Sequence, residues 1–231
     1  RSYVDTNVVG TLNLLEASRE ARRILVVSTS EVYGSALRVP IDENHPLQGQ
    51  SPYSASKIGA EKLAESYYRS FGVPVTVVRP FNTYGPRQSP RAVIPTVLMQ
   101  AAAGRETIAL GDPTTTRDFN FVADTAEAMI RLAECEAAEG QVVNSGTGRE
   151  VTIGQVVEYA GQLVGRQVHI VQEPRRMRPS KSEVRRLCAD NSRLRELTGW
   201  VPQTELSEGL AQTFAWLKDH ASSLDVDRYY V

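Results

Sequence analysis

Apolar residues fall along this chain in two rhythms. Val8, Val9, Leu12, Leu14, Leu15 and Ala17 recur at helical spacing within residues 3–20, so the chain begins in, or just before, a helix. Ile24-Leu25-Val26-Val27 is instead an unbroken apolar run, the pattern of a parallel strand buried on both faces, and it stops at Ser28-Thr29-Ser30-Glu31. Residues 35–51 are polar, with Pro40, Pro46 and Gly49, and read as a loop. Ser51-Pro52 is a helix start, Ser as N-cap and Pro in the first turn, and the helix runs to about Phe71, where Gly72 and Pro74 end it. Val75 to Val78 is the next buried strand, broken at Arg79-Pro80, and residues 79–91 read as a long loop over the same sheet edge.

Further on, residues 92–103 predict a helix, 107–110 a strand, and Asp124 a cap for a helix through about Cys135. Residues 142–144 predict a strand, 152–164 a helix and 168–171 a strand. Asp190 predicts the cap of a helix ending before Gly199, and a last amphipathic helix spans about 206–217. The β, α, β, α alternation of the first 80 residues implies an α/β fold with a Rossmann-like parallel sheet wrapped by helices, and the later mixture implies a smaller α/β lobe at its edge. The expected division is a sheet domain over 1–90 and a substrate-binding lobe over 91–231, with about 117–145 returning to the sheet domain. No Gly-x-Gly-x-x-Gly turn occurs. A dinucleotide-binding sheet normally opens on such a turn, so the expectation is a piece lacking the first half of that sheet, or a protein that binds no dinucleotide.

Composition narrows the function by exclusion. A net charge of −1 gives no reason to expect nucleic acid or an anionic membrane, and no apolar run reaches a membrane span. Cys135 and Cys188 lack metal or redox spacing and His45, His169 and His220 are scattered, so a metal site is not expected. Reduced thiols and a polar start predict a cytoplasmic protein.

The chemistry gathers at the first strand's end. Thr29 offers a hydroxyl and Glu31 a carboxylate there, and ligands of open α/β sheets bind at that edge. Tyr53 and Lys57, four apart on a helix, share a face. A nearby ammonium and the helix dipole are expected to lower the phenol's pKa, suiting it to take a sugar hydroxyl proton while hydride leaves the same carbon. A solvent-exposed Tyr and Lys would satisfy the same spacing. Glu31 could protonate a departing C6 hydroxyl or take the C5 proton beside a C4 ketone. Asn82 lies in the loop Arg79-Pro80-Phe81-Asn82-Thr83-Tyr84-Gly85-Pro86-Arg87, and Arg117 and Arg178 are candidates for a pyrophosphate clamp, although for any single arginine a solvated surface charge is the favoured reading.

These motifs resemble the extended short-chain dehydrogenase/reductases, specifically the nucleotide-sugar epimerases and dehydratases. The resemblance runs through Asn7-Val8-Val9-Gly10-Thr11-Leu12-Asn13, residues 28–34, 53–57 and 79–87, Arg117-Asp118-Phe119, and Asp190-Asn191-Ser192 before Gly199-Trp200. It implies NAD as cofactor, with Tyr53 as base, Thr29 as its hydroxyl partner, Lys57 on the nicotinamide ribose, and Asn7, Ser28 and Pro80 nearby. It implies a nucleotide-diphosphate sugar held by Asn82, Arg87, Arg117, Asn144 and Arg178. Glu31 discriminates within the family: simple 4-epimerases usually carry a small or hydroxyl residue there, whereas 4,6-dehydratases and decarboxylases carry Glu. Ser30 stands where typical deoxythymidine-diphosphate-glucose dehydratases have Asp, so Ser30 joins the candidate catalytic set and Glu31 must act alone or through water. Residues 46–53 and 79–94 look most like dehydratases of nucleotide N-acetyl-amino sugars, of the legionaminic-acid type.

The leading expectation is therefore an NAD-dependent 4,6-dehydratase. A 4-epimerase, a decarboxylase of a uronic-acid nucleotide and an inactive binding piece remain open. The family's four-helix-bundle homodimer would use helices 3–20 and 52–71, with Leu12, Leu15, Ile58 and Leu63 at the contact or in the core.

Overall fold

The computed structural model describes residues 1–177 and 183–220. The chain starts with a π-helical stretch, Val4–Val9, that passes into α1 (Gly10–Ala17). The expected helix over 3–20 is thus shorter and partly wider-wound. It stops where the apolar pattern stops, because Ser18-Arg19-Glu20 brings nothing to bury. β1 (Ile24–Val27) leads into a 3-10 turn, Ser30–Tyr33, and then the loop to α2 (Pro52–Phe71). Ser51 caps α2 with a reciprocal pair of bonds to Ser54, and Gly72 ends it in the left-handed conformation at φ 68°.

β2 (Val75–Pro80) runs two residues past the expected break. Pro80 is tolerated because it lies at the strand's end, and Phe81 N donates to Ser145 O just beyond it. The expected 79–91 loop also contains β3 (Asn82–Tyr84). There follow α3 (Val93–Ala102), β4 (Thr107–Leu110), β5 (Thr116–Arg117), β6 (Phe119–Phe121), α4 (Val122–Glu134), β7 (Val142–Ser145), β8 (Val151–Thr152), α5 (Ile153–Leu163), β9 (His169–Gln172), α6 (Ser192–Thr198) and α7 (Leu206–Asp219). Asp124 is not the cap of α4. It lies inside the helix, buried, and accepts from Thr204 N at 2.9 Å across the chain. Asp190 lies one residue before the α6 cap position, Asn191, yet its Oδ1 takes Ser192 N at 2.9 Å.

β1, β2 and β7 form a parallel sheet in the order β1-β2-β7. Strand alternation divides its side chains between two cores. Val75 and Val77 face Leu15, Ala64 and Tyr67 of the α1/α2 layer, while Val78 and Val143 face Ala128, Leu132, Leu194 and Trp200 of the α4/α6 layer. A separate core joins α3, α5 and α7 around Leu98, Phe119, Phe121, Val156 and Leu210. There β4 pairs with β9 in parallel and β5 with β8 in antiparallel. Leu15 is fully buried, and Ile58 and Leu63 are partly buried against core clusters, which takes Leu15 out of any subunit contact. Among the described residues no helix is long and apolar enough to cross a membrane, and no His/Cys/Asp/Glu cluster could hold a metal ion.

Candidate active site

At the carboxyl end of β1 the backbone turns at Thr29. Thr29 Oγ1 accepts from Glu31 N at 3.2 Å, which caps the 3-10 turn and sets the hydroxyl and the carboxylate side by side. Tyr53, in the first turn of α2, meets them. Its phenol lies close enough to the Thr29 hydroxyl and the Glu31 carboxylate for both to act on its pKa. Ser30, between the two, is buried, so Thr29 and Glu31 carry the accessible face of the turn.

Lys57 does not act on the phenol as its spacing suggested. Its Nζ donates to Val27 O at 3.0 Å, one strand end away, and burial lowers its pKa against an opposing pull from Glu61. The Tyr53 pKa is raised rather than lowered. Burial is the main cause; the Thr29 hydroxyl opposes it, and Glu31 and Tyr3 add to the rise. A helical spacing of four guarantees a shared face, not a contact.

The residues around Lys57 suit a polar ligand that brings acceptors. Val27 O takes one of the three N–H donors of the ammonium. Ser28 Oγ is buried with no partner among the described residues. Asn7 Nδ2 donates to Ser56 Oγ at 2.9 Å, and Ser56 Oγ donates to Tyr53 O at 2.7 Å, so Asn7 steadies the base's own helical turn from the π-helical stretch. These groups fit the ribose and amide of a nicotinamide nucleotide.

The second part of the site is a cavity of about 300 Å³ whose lining includes Asn82, Gln88, Leu110, Arg117, Phe119 and Arg176. Thr29, Glu31 and Tyr53 are not in that lining. Ser28 N bonds Val78 O, so the turn bearing Thr29 leaves β1 beside the end of β2, and Asn82 follows β2 by two residues. The Oδ1 of Asn82 and the Oε1 of Gln88 are buried without partners among the described residues, so the cavity offers acceptors to a ligand's O–H or N–H groups. Arg117 Nη1 donates to Thr116 O at 2.8 Å, and its Nη2 lies 3.5 Å from Glu183. Its neighbour Asp118, fully buried, accepts from Thr147 N and Oγ1, Gly148 N and Ala189 N at 2.6–3.0 Å. That hub pins three chain segments behind Arg117.

Two expected contacts are not where the motif suggested. Asn144 is fully buried, with Oδ1 taking the Tyr33 hydroxyl at 2.6 Å and Nδ2 donating to Ile41 O at 2.9 Å, so its amide is turned into the core. Arg87 is exposed, at φ 68°, and is not in the cavity lining. Pro80 is half-buried at the end of β2. Arg178 lies outside the described residues.

Sequence reasoning missed Tyr3, whose ring meets Tyr53 edge-on at 5.8 Å between centroids. It also missed Gln88, which lines the cavity, donates from Nε2 to Thr83 O at 2.9 Å and keeps a buried Oε1 without a partner among the described residues. The signal for Gln88 lay in the loop motif, one residue beyond the arginine that drew attention.

The family model described as GDP-mannose 4,6 dehydratase matches residues 1–213. A UDP-glucose 4-epimerase of Mycolicibacterium smegmatis is 37% identical, over 92% of this chain and 68% of its own length. A dTDP-glucose 4,6-dehydratase of Xanthomonas campestris pv. campestris is 34% identical, over 93% of this chain and 66% of its own. The solved dTDP-glucose 4,6-dehydratase of Bacillus anthracis, in complex with NAD, superposes with a TM-score of 0.84 at 32% identity, covering 95% of this chain and 70% of that one. The chain thus spans about two thirds of the length of these relatives. With its parallel sheet and the Thr29, Tyr53 and Lys57 constellation at that sheet's edge, it belongs to the nucleotide-sugar epimerase and dehydratase family of the extended short-chain dehydrogenase/reductases.

Proposed function

We propose that the protein containing this chain is an NAD-dependent 4,6-dehydratase of a nucleotide-diphosphate sugar, with an N-acetyl-hexosamine nucleotide as its substrate class. The observation that carries the reading is the Glu31 carboxylate within electrostatic range of the Tyr53 phenol, on the turn that Thr29 caps. From this chain, oxidation of a sugar hydroxyl needs Thr29, Tyr53 and Lys57, with NAD as the hydride acceptor; a carboxylate adds what elimination of water needs. The acetamido sugar rests on the resemblance in residues 46–53 and 79–94. A ligand rich in hydrogen-bond donors agrees with the unpaired acceptors of Asn82 and Gln88.

In this scheme Thr29 and Tyr53 bond the O4 hydroxyl, and Tyr53 takes its proton as C4 is oxidised. Lys57 and Ser28 would hold NAD, which when bound would supply hydride transfer and a positive charge near the phenol. Glu31 removes the C5 proton, made acidic by the C4 ketone, and protonates the C6 hydroxyl as it departs. Asn82 and Arg117 hold the diphosphate.

A 4-epimerase is the second reading, favoured by the 37% identity to an enzyme of that name. It needs no work from Glu31. Incubating the intact protein with sugar nucleotides and weighing the products separates the readings: loss of one water supports the dehydratase, unchanged mass the epimerase. Glu31→Gln should lower dehydration at least a hundredfold, and an unchanged rate would refute the assignment.

The same protein should be a homodimer through the exposed apolar residues Val9, at the end of the π-helical stretch, and Leu12, in the first turn of α1. Leu12→Asp should yield monomers in sedimentation; a persistent dimer would place the contact elsewhere.

A further inference from the structure

Beneath the site runs a buried chain of polar groups that the reaction itself does not call for. Arg79 on β2 grips Glu61 of α2 with a two-pronged bond, Nε to Oε1 at 2.9 Å and Nη2 to Oε2 at 2.6 Å. Its remaining arm, Nη1, donates to the Tyr33 hydroxyl at 2.9 Å and to Glu43 O at 3.3 Å. That hydroxyl donates onward to Asn144 on β7. The guanidinium also lies 4.9 Å from the centre of the Tyr33 ring. Arg79 is 2% exposed, and Glu61, Tyr33 and Asn144 are fully buried.

The ends of this chain matter. Tyr33 closes the 3-10 turn that begins with Ser30 and Glu31. Glu61 lies one helical turn beyond Lys57 and two beyond Tyr53, on the same face of α2. The Thr29 hydroxyl and the Tyr53 phenol come together at the top of the turn and the helix; at the bottom Arg79 links Tyr33 to Glu61, and Ile58 of the helix packs against the core cluster that holds Tyr33. A hydrogen-bonded charge in a dry interior has little freedom to shift, because any displacement leaves a buried donor or acceptor unmet.

We infer that Tyr33 is a positioning residue whose hydroxyl ties the turn bearing Thr29 and Glu31 to the Arg79–Glu61 pair under the helix bearing Tyr53 and Lys57. It thereby sets how close the Glu31 carboxylate stands to the Tyr53 phenol. The inference rests on the proposed roles of Glu31 and Tyr53, but its test is a titration, whereas those roles are tested by product mass, so either can fail alone.

The experiment is a double-mutant cycle read on the Tyr53 phenol, followed as the phenolate absorbance difference between each protein and its Tyr53→Phe partner. Glu31→Gln removes a charge that raises the Tyr53 pKa, so it shifts the titration downward in the Tyr33 background. In the Tyr33→Phe background the same substitution should give less than half that shift, since the turn is no longer held against the helix. Arg79→Lys keeps a cation for Glu61 and is too short to serve Tyr33 as well; it should reduce the shift in the same way and serves if Tyr33→Phe does not fold. In the intact protein Tyr33→Phe should lower kcat about tenfold with KM within twofold, whereas a merely less stable protein would lose activity in proportion to its unfolded fraction. A full-sized shift in both altered backgrounds, or no shift from Glu31→Gln in the parent, would overturn the inference.

Discussion

Single residues show how far chemistry can be read before geometry. Thr29, Glu31 and Tyr53 could be picked out because they sit beside strand and helix boundaries. What each side chain touches was not legible. Lys57 turns to Val27 O, and Asn144 turns into the core, because a hydrogen-bond partner from another element outweighs position in a motif. Tyr33 was hidden for the same reason: its partners Arg79 and Asn144 are 46 and 111 residues away. Burial pushes the Tyr33 pKa up to about 12, against an opposing pull from Arg79. A phenol whose folded value lies above its unfolded value of about 10 gives stability that is complete below that value and lost as pH rises through the folded one. Between pH ~10 and ~12 the chain should therefore lose up to roughly 3 kcal/mol more unfolding free energy than Tyr33→Phe, as urea titrations at each pH can measure.

Elements were more legible than contacts. β1, α2, α3, β4, α5 and α7 lie within a few residues of where apolar rhythm and capping residues put them, because each owes its limits to its own sequence. The strands that escaped notice, β3, β5, β6 and β8, have two or three residues each and exist only through their partners. A run so short carries no period to detect. The start of α2 matters most for function, since Tyr53 is its second residue. Ser51 Oγ accepts from Ser54 N at 3.0 Å, and Ser54 Oγ accepts from Ser51 N at 3.0 Å. Ser51→Ala removes half of this box and should cost about 1 kcal/mol in chemical denaturation. At the other end Gly72 sits at φ 68° with open space around it, so Gly72→Ala should cost on the order of 1 kcal/mol through the backbone alone.

At the scale of the molecule, the sheet and the buried pair beneath the site act as one frame. Arg79 and Glu61 looked like ordinary charges in the sequence, one beside a proline and one on an amphipathic helix. Only the packing of α2 across β2 makes them a closed pair. Arg79→Met alone strands a buried carboxylate and should destabilise the fold by about 3–5 kcal/mol. Arg79→Met combined with Glu61→Leu should cost clearly less than the sum of the single changes in a double-mutant cycle. The lobe behind Arg117 was foreseen only as a mixture of short elements, because its form depends on Asp118 gathering amides from residues 147, 148 and 189. Frame, turn and cavity together support one account: Tyr53, placed with Thr29, takes the O4 proton as the cofactor oxidises C4, and Glu31 serves the loss of water across C5 and C6. The most direct test uses a nucleotide sugar carrying deuterium at C4, with the label located in the product by NMR. The account predicts deuterium recovered at C6 of a product that has lost one water, and deuterium returned to C4 of a sugar of unchanged mass would contradict it.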